Sequence, residues 1–262
     1  MATARSARER GDERGGARDH ERARDHERGR DRDRGDPRAD ERPGSRVARL
    51  GILGGTFNPP HEGHIALARH ALAELELERV VLMPAHTPPH KPAPASDPGP
   101  RHRLAMCERA VAGVEGVEVS AREIERGGPS YTVDTLEEIH ARDPETSLTL
   151  LMGADVARTL PSWRAVRRLL ELASVAVAQR DGTDRAAVLE ALGPLEPLPH
   201  GVRFLAMAPV EGSSTLIRER LERGEGTGGA LAGAVAEYIA RHGLYAPLAG
   251  AGAGAEAGAG AR

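Results

Sequence analysis

Two histidines, His61 and His64, lie three residues apart at the end of the most distinctive stretch of the chain. This stretch, residues 54–64, reads Gly-Gly-Thr-Phe-Asn-Pro-Pro-His-Glu-Gly-His. An apolar run typical of a buried strand precedes it, and apolar residues recur at helical spacing from Gly63 onward. The glycine pair lets the backbone approach a ligand closely. The histidines are therefore predicted to lie at a strand-to-helix junction, where unpaired N–H groups and the helix dipole favour a bound phosphate.

Two other interpretations of this stretch are weaker. Paired histidines occur in zinc sites, but zincin ligands need a four-residue spacing and a third ligand, and Gly63 suits neither. Glycine pairs occur in dinucleotide fingerprints, but no Gly-x-Gly-x-x-Gly follows here. The stretch thus favours a phosphate-binding turn, with no protein metal site.

Further polar residues follow later predicted strands. Lys91 lies in a proline-dense loop, and Asp155 comes two residues after Gly153, at the end of a buried strand. Arg218 falls one helical turn after Ser214, on the same side of a helix predicted to begin at Ser213 or Ser214. Such side chains reach phosphates or ribose hydroxyls when their loops share the ligand edge of a sheet. Lys91 and Arg218 also have a simpler interpretation as solvated charges, and the serines at the start of that helix as helix caps.

Two residues are candidates for contact with an aromatic ligand. Trp163 is the one tryptophan of the chain, and tryptophan either fills a core or stacks on a ring. Thr132 opens a predicted helix after a Gly-Gly-Pro break, where Ser130 or Thr132 is predicted to be the N-cap. Capping and ligand contact are compatible for Thr132.

Strands and helices alternate along the chain. This pattern predicts an α/β fold, a single Rossmann-like, doubly wound, mainly parallel sheet with helices on both faces. The predicted strands that precede the polar segments are 47–53, 79–83, 147–152 and 202–207. The predicted helices include 63–77, 101–111 (with Leu104, Cys107 and Val111 inward), 162–172, 184–192 and 229–242.

The composition indicates where the folded domain begins and ends and in which compartment the protein works. Residues 1–45 are mostly charged and have few apolar side chains, and 247–262 are rich in alanine and glycine, so both are predicted to be disordered tails around a 46–246 domain. The alternative interpretation of residues 1–45 is a charged arm that interacts with a partner. The net charge of −3 does not indicate nucleic-acid binding, and no segment approaches transmembrane length. The single cysteine, Cys107, fits a reducing cytoplasm.

The 54–64 string closely resembles the signature of the nucleotidylyltransferase superfamily, which carries a His-x-Gly-His element. Other strings resemble the same family in the same order: Pro-Pro-His-Lys at 88–91, Met-Gly-Ala-Asp at 152–155 and Ser-Ser-Thr-x-Ile-Arg at 213–218. Ser-Tyr-Thr-Val-Asp-Thr-Leu at 130–136 is similar to a segment of the nicotinate-nucleotide adenylyltransferase branch. The resemblance runs from about 47 to 245. It departs from the family at Arg164, where some relatives carry an aromatic residue, at Asp181, which replaces a proline, and at Gly212, where isoleucine is common.

The resemblance implies an adenylyltransferase that joins ATP and nicotinate mononucleotide to give nicotinate adenine dinucleotide and pyrophosphate in NAD biosynthesis. It implies catalytic roles for His61, His64, Lys91 and Arg218, an ATP site of Gly54, Gly55, Thr56, Phe57, Gly153, Asp155, Ser213 and Ser214, and a nicotinate end of Thr132 and Trp163. Mg²⁺ is expected to enter with ATP. The attacking phosphate is already anionic, so neither a general base nor a covalent intermediate is required.

Two alternatives remain at this level. Phosphopantetheine adenylyltransferase belongs to the same superfamily, but the 130–136 string argues against it. A non-catalytic ATP sensor that kept the site belongs to a different class and would bind ATP without releasing pyrophosphate. The sequence leaves open whether the chain forms a homo-oligomer, what the N-terminal tail does, and how strictly nicotinate is preferred over nicotinamide mononucleotide.

Overall fold

Six parallel strands form one sheet in the computed structural model, which describes residues 47–90, 92–179, 184–208 and 212–246. The strands are β1 (Arg49–Gly55), β2 (Arg79–Pro84), β3 (Val117–Val119), β4 (Ser147–Gly153), β5 (Ala173–Gln179) and β6 (Val202–Ala206). The predicted tails 1–45 and 247–262, together with Lys91 and Asp181, lie outside the described residues, so the domain bounds stay a prediction.

The strand order is β3-β2-β1-β4-β5-β6. β1 therefore pairs with β2 on one side and with β4 on the other, and Leu50 stands opposite both Arg79 and Leu148. The chain winds outward in one direction from β1 to β3 and in the other from β4 to β6. This confirms the predicted doubly wound parallel sheet, and it places a topological switch point between the carboxyl ends of β1 and β4.

Helices connect and flank the strands. They are α1 (Glu62–Glu74), α2 (Pro100–Val111), α3 (Arg122–Arg126), α4 (Thr132–Arg142), α5 (Ala154–Ala157), α6 (Val166–Leu172), α7 (Asp184–Leu192), α8 (Ser214–Glu222) and α9 (Gly233–His242). In the part of the chain that the structure describes, no helix has the length and apolarity needed to cross a membrane.

Two predicted helices begin too early in the sequence-based assignment. The helix predicted at 162–172 begins at Val166, because Ala165 has the left-handed φ of 48° and a short 3-10 turn, Leu160–Ser162, precedes it. The helix predicted at 229–242 begins at Gly233, and Gly228 and Gly229 before it have φ values of 61° and 80°. Left-handed residues of this kind end or delay a right-handed helix.

The sheet buries both of its faces. Along β1, Leu50 and Ile52 join a cluster that contains residues of α4, α6 and α7, whereas Leu53 joins a cluster with residues of α1, α2, α8 and α9. The two-residue period of a strand produces this alternation. Because helices cover both faces, the ends of the described strands are where a ligand can approach the sheet.

The inward face of α2 differs from the prediction. Cys107 is buried as predicted, but Leu104 and Val111 are only half-buried, and Arg103, Met106 and Ala110 complete the buried face. The helical period of the apolar residues alone could not identify a buried arginine, which enters the core because its charged end finds carbonyl partners there.

Candidate active site

A cavity of about 910 Å³ opens at the carboxyl ends of β1 and β4, at the switch point of the sheet. Its wall combines the turn after β1, the proline-rich loop after β2, the start of α4, the segment after β4 and the start of α8. A volume of this size is within the range of small-molecule sites. The cavity therefore lies where open α/β sheets bind their ligands.

The histidine pair lies in this wall, at the start of α1. His61 is the N-cap and is 8% exposed, and His64 lies half-buried in the first turn. The two rings have centroids 3.7 Å apart, and the Phe57 ring meets His64 edge-on at 4.9 Å. The His61 N–H donates to His64 Nδ1 at 3.1 Å. Because Nδ1 accepts this bond, the proton of a neutral His64 lies on Nε2, which makes Nε2–H a hydrogen-bond donor.

Two glycines leave room for the His61 ring. A Cβ at Gly63 would lie 3.0 Å from His61 Nδ1, and a Cβ at Gly212 would lie 3.1 Å from the same atom. Both distances are tighter than nine in ten real Cβ contacts, so a side chain at either position would require its neighbour to shift. The glycine at 212, noted from the sequence as a departure from the family, thus accommodates the His61 ring in its present position.

The start of α8 holds the turn between β1 and α1. Arg218 Nη1 donates to the carbonyl oxygen of Asn58 at 2.7 Å, and Ser214 Oγ donates to the carbonyl oxygen of Pro59 at 2.9 Å. Ser213 is the N-cap of α8, with an extended φ of −131°, so the predicted helix start is confirmed. Arg218 and Ser214 line the cavity, whereas Ser213 does not.

Arg103, which the sequence did not single out, ties two loops of the site together. It is 1% exposed, and its guanidinium donates to the carbonyl oxygens of Thr56 at 2.9 Å, Ala85 at 2.6 Å and His86 at 2.9 Å. Asp97 supplies the opposite charge, 3.3 Å from Arg103 Nε. One buried cation therefore joins the turn after β1 to the loop after β2.

Trp163 and Tyr131 lie at another part of the cavity wall. Trp163 is half-buried, its Nε1 donates to Thr159 Oγ1 at 3.0 Å, and its ring stacks towards His90 with centroids 5.9 Å apart. The Arg164 guanidinium lies over the Tyr131 ring at 4.5 Å. The ring of Tyr131, which sequence reasoning passed over, thus lies beside Arg164, the position at which the resemblance places an aromatic residue in some relatives.

Thr132 lines the same part of the cavity as the first residue of α4. The predicted N-cap was wrong, because Tyr131 occupies the cap position and makes no side-chain cap bond. Ser130 Oγ instead accepts a hydrogen bond from the His86 N–H at 2.8 Å. Its hydroxyl therefore joins the start of α4 to the loop after β2.

Glu123 contributes a buried carboxyl to the cavity wall. It is 6% exposed, and Thr135 Oγ1 donates to its Oε1 at 2.6 Å. Burial raises the pKa of Glu123, and the hydrogen bonds from Thr135 and Ser130, with the charge of Arg126, offset only part of that effect.

The remaining predicted residues differ in their placement. Gly153 and Asp155 line the cavity, but the Asp155 side chain is 87% exposed and pairs with Arg158 at 2.7 Å. Lys91 lies outside the described residues. Within the described ranges, no group of three or more His, Cys, Asp or Glu side chains is placed to bind a metal ion. The predicted residues that the cavity brings together are Gly54, Gly55, Thr56, Phe57, His61, His64, Thr132, Gly153, Asp155, Trp163, Ser214 and Arg218.

Comparison with known proteins gives a consistent result. Residues 52–220 match the model of the cytidylyltransferase-like family. The chain is 42% identical to a probable nicotinate-nucleotide adenylyltransferase of Gemmatimonas aurantiaca over 202 residues, which cover 75% of this chain and 92% of the relative. A probable nicotinate-nucleotide adenylyltransferase of Roseiflexus sp. is also 42% identical, with 76% and 98% covered.

Solved structures share the fold. A nicotinic acid mononucleotide adenylyltransferase of Plasmodium falciparum, complexed with NaAD, matches with a TM-score of 0.62 at 15% identity and covers 76% of this chain and 97% of its own. A putative nicotinate-nucleotide adenylyltransferase from Vibrio parahaemolyticus matches with a TM-score of 0.54 at 18% identity, with 76% and 95% covered.

Proposed function

The chain belongs to the nicotinate-nucleotide adenylyltransferases of the cytidylyltransferase-like family, and from this premise we propose how its cavity transfers an adenylyl group. The enzyme joins ATP and nicotinate mononucleotide to give nicotinate adenine dinucleotide and pyrophosphate, a step of NAD biosynthesis. A phosphate oxygen of nicotinate mononucleotide attacks the α-phosphorus of ATP. The bond from that phosphorus to the bridging oxygen breaks, and pyrophosphate leaves with the electron pair.

One observation carries the proposal: a single cavity at the switch point joins a histidine and arginine wall to an aromatic wall. His61, His64 and Arg218 supply donors and positive charge, and Tyr131 and Trp163 supply ring faces. A reaction between a triphosphate and a pyridine nucleotide needs both kinds of surface within reach of each other. Holding the reactants together also supplies much of the rate, because it removes the entropy cost of their encounter.

The work of the protein in this mechanism is electrostatic. A phosphate monoester is largely dianionic at neutral pH, so no side chain has to remove a proton from the nucleophile. The charge that builds on the leaving pyrophosphate needs fixed donors. His64 Nε2–H and the start of α1 supply such donors, and Arg218 supplies a full positive charge. We assign the same function to His61 and to Lys91 of the loop after β2.

ATP enters this site with Mg²⁺ as its complex. Mg²⁺ keeps several waters and is commonly held by substrate phosphates with one or two carboxylates, so phosphoryl chemistry does not need a protein cage. The residues that line the cavity fit this arrangement, because two histidines and Arg218 can donate to phosphate oxygens, and the wall also contains the carboxylate of Asp155. The cation would neutralise phosphate charge beside these residues.

The remaining site residues receive the two nucleotides. Gly54, Gly55, Thr56, Phe57, Gly153, Asp155, Ser213 and Ser214 form the ATP side, with Ser213 acting through the start of α8. Thr132 and Trp163 receive the nicotinate ring, and Tyr131 forms the adjoining wall. The reaction is assigned to the cytoplasm, in keeping with the single cysteine of the chain.

Isotope labelling tests the proposed chemistry. ATP labelled on the α-phosphate should pass its label to nicotinate adenine dinucleotide, and ATP labelled on the γ-phosphate should release labelled pyrophosphate. Release of the γ-label as inorganic phosphate would instead mean cleavage between the β- and γ-phosphates, and would overturn the assignment of adenylyl transfer.

A further inference from the structure

We propose that Tyr245 is a positioning residue, whose hydroxyl holds the phosphate-binding turn in its working shape through the side chain of Asn58. The proposal rests on the function given above, because it assigns the turn between β1 and α1 to the phosphates of ATP. Tyr245 follows α9 and lies 187 residues from Asn58 in the sequence. Neither residue belonged to the set predicted from the sequence.

The contact between the two side chains is short and enclosed. Tyr245 is 5% exposed, Asn58 is 3% exposed, and the tyrosine hydroxyl donates to Asn58 Oδ1 at 2.6 Å. Burial raises the pKa of the Tyr245 phenol, so the hydroxyl stays protonated and able to donate. A buried donor and acceptor of this kind fix each other, because either one left unpaired carries a desolvation cost.

Asn58 transmits this restraint to the phosphate-binding residues. Its carbonyl oxygen accepts from Arg218, and it lies between Phe57, which packs edge-on against His64, and the prolines that lead to His61. Asn58 Nδ2 has no hydrogen-bond partner among the described residues. The hydroxyl of Tyr245 is therefore the partner that holds this side-chain amide, and its loss leaves the whole amide unpaired in a buried turn.

The chain contains a matched control in Tyr238. This tyrosine lies on α9, is 8% exposed, and its hydroxyl bonds to His102 Nδ1 at 3.0 Å. Tyr238 does not line the cavity. Replacing either tyrosine by phenylalanine removes one hydroxyl with one partner and keeps the ring, so the two variants differ in whether the partner belongs to the phosphate-binding turn.

The experiment compares the full-length chain with Tyr245→Phe and Tyr238→Phe in pyrophosphate release, with unfolding followed in parallel. Tyr245→Phe should lower kcat/KM for ATP about tenfold, the rate equivalent of one lost hydrogen bond, and leave the KM for nicotinate mononucleotide unchanged. Tyr238→Phe should leave both unchanged. Equal effects of the two variants on kcat/KM for ATP, or a rise of the KM for nicotinate mononucleotide in Tyr245→Phe, would overturn the proposal.

A double-mutant cycle with Asn58→Ala tests the route of the effect. If the hydroxyl acts through Asn58, Tyr245→Phe should have little further effect in the Asn58→Ala background. A full tenfold loss in that background would overturn the route through Asn58. If Asn58→Ala does not fold, the comparison of kcat/KM for ATP between Tyr245→Phe and Tyr238→Phe tests the proposal. Failure of the wild-type chain to release pyrophosphate would remove the proposed function itself, which distinguishes that result from a failure of the tyrosine variants.

Discussion

At the scale of single residues, His64 combines a fixed ring with a defined tautomer. Its Nδ1 accepts from the His61 backbone, which leaves Nε2–H as the donor. We expect His64→Ala to lower kcat by about 10²–10³, the range for loss of one preorganised donor. Steady-state turnover with ATP and nicotinate mononucleotide measures this.

The matched control for this variant is His70→Ala. His70 lies on the same helix and pairs with Glu74 at 2.7 Å, outside the cavity wall. His70→Ala should leave turnover unchanged. A loss below about threefold for a folded His64→Ala protein would remove His64 from the mechanism, because it is far less than a preorganised donor supplies.

Trp163 is expected to act in binding and not in the chemical step. Its indole N–H is bonded to Thr159, so the ring face is the part that a pyridine ring can meet. Trp163→Ala should raise the KM for nicotinate mononucleotide and change kcat little, as expected for lost ground-state binding. Trp163→Phe keeps a ring and should restore most of the affinity. An unchanged KM in the alanine variant would return Trp163 to a purely structural role.

Glu123 predicts a pH dependence of stability. Its pKa is raised by burial above its ordinary value of 4.5, so the native state holds the proton more tightly than the unfolded state. Its stabilising contribution is full below that value and is lost as the pH rises through the native pKa. Glu123→Gln, which mimics the protonated form, should therefore gain stability relative to the wild type as the pH rises above 4.5.

Denaturant unfolding at several pH values measures this difference. Glu125→Gln is the control, because Glu125 is exposed on the same short helix. The free energy of unfolding of Glu125→Gln should change with pH in the same way as that of the wild type. Parallel curves for Glu123→Gln as well would show that the carboxyl at 123 titrates alike in the native and unfolded chain.

The site residues divide by what the sequence could reveal. His61, His64 and Arg218 were predicted because short spacing and nearby glycines or helix starts mark them locally. Arg103 and Tyr245 were missed because their partners, Thr56 and Asn58, lie 47 and 187 residues away. Nothing in a local pattern distinguishes such a residue from an ordinary helical arginine or a tyrosine of the core.

At the scale of the elements, Arg103 links the segments that follow β1 and β2. Arg103→Met keeps the length of the side chain but leaves three carbonyl oxygens and Asp97 without their cation. We expect the free energy of unfolding to fall by about 3 kcal/mol or more, as for a broken buried charge network. Arg101→Met, on the exposed side of the same helix, should change it by less than about 0.5 kcal/mol.

Chemical denaturation of the two variants provides this comparison. We expect a large loss in the free energy of unfolding for Arg103→Met and almost none for Arg101→Met. A change below about 1 kcal/mol for Arg103→Met would mean that the loops after β1 and β2 hold their shape without the guanidinium.

The strands were easier to predict than the helix boundaries. Apolar runs such as β4 are buried on both faces, so their composition alone marks them. Helix starts depended on single backbone conformations, such as the left-handed Ala165, which neither residue type nor periodicity indicates. The predicted N-cap of α4 was wrong for a related reason. Ser130 bonds to a neighbouring loop, and no sequence pattern connects the two.

At the scale of the whole molecule, the parallel sheet brings the segments that follow β1, β2, β4 and β6 to the carboxyl ends of the strands. Because β1 and β4 are neighbours at the switch point, the turn with the histidine pair faces the segment after Gly153. The alternation of strands and helices predicted a parallel sheet in which the segments after the strands lie together. The pairing of β1 with β4 had to come from the structure, since alternation alone does not give the strand order.

The measurement that tests the account most directly is pyrophosphate release with ATP and Mg²⁺ and three separate acceptors. These are nicotinate mononucleotide, nicotinamide mononucleotide and phosphopantetheine. The account predicts release with nicotinate mononucleotide at least about tenfold above the other two, a gap of roughly 1.4 kcal/mol in transition-state binding. Release with phosphopantetheine alone would contradict the roles of Thr132 and Trp163, and ATP binding without release for any acceptor would contradict catalysis itself.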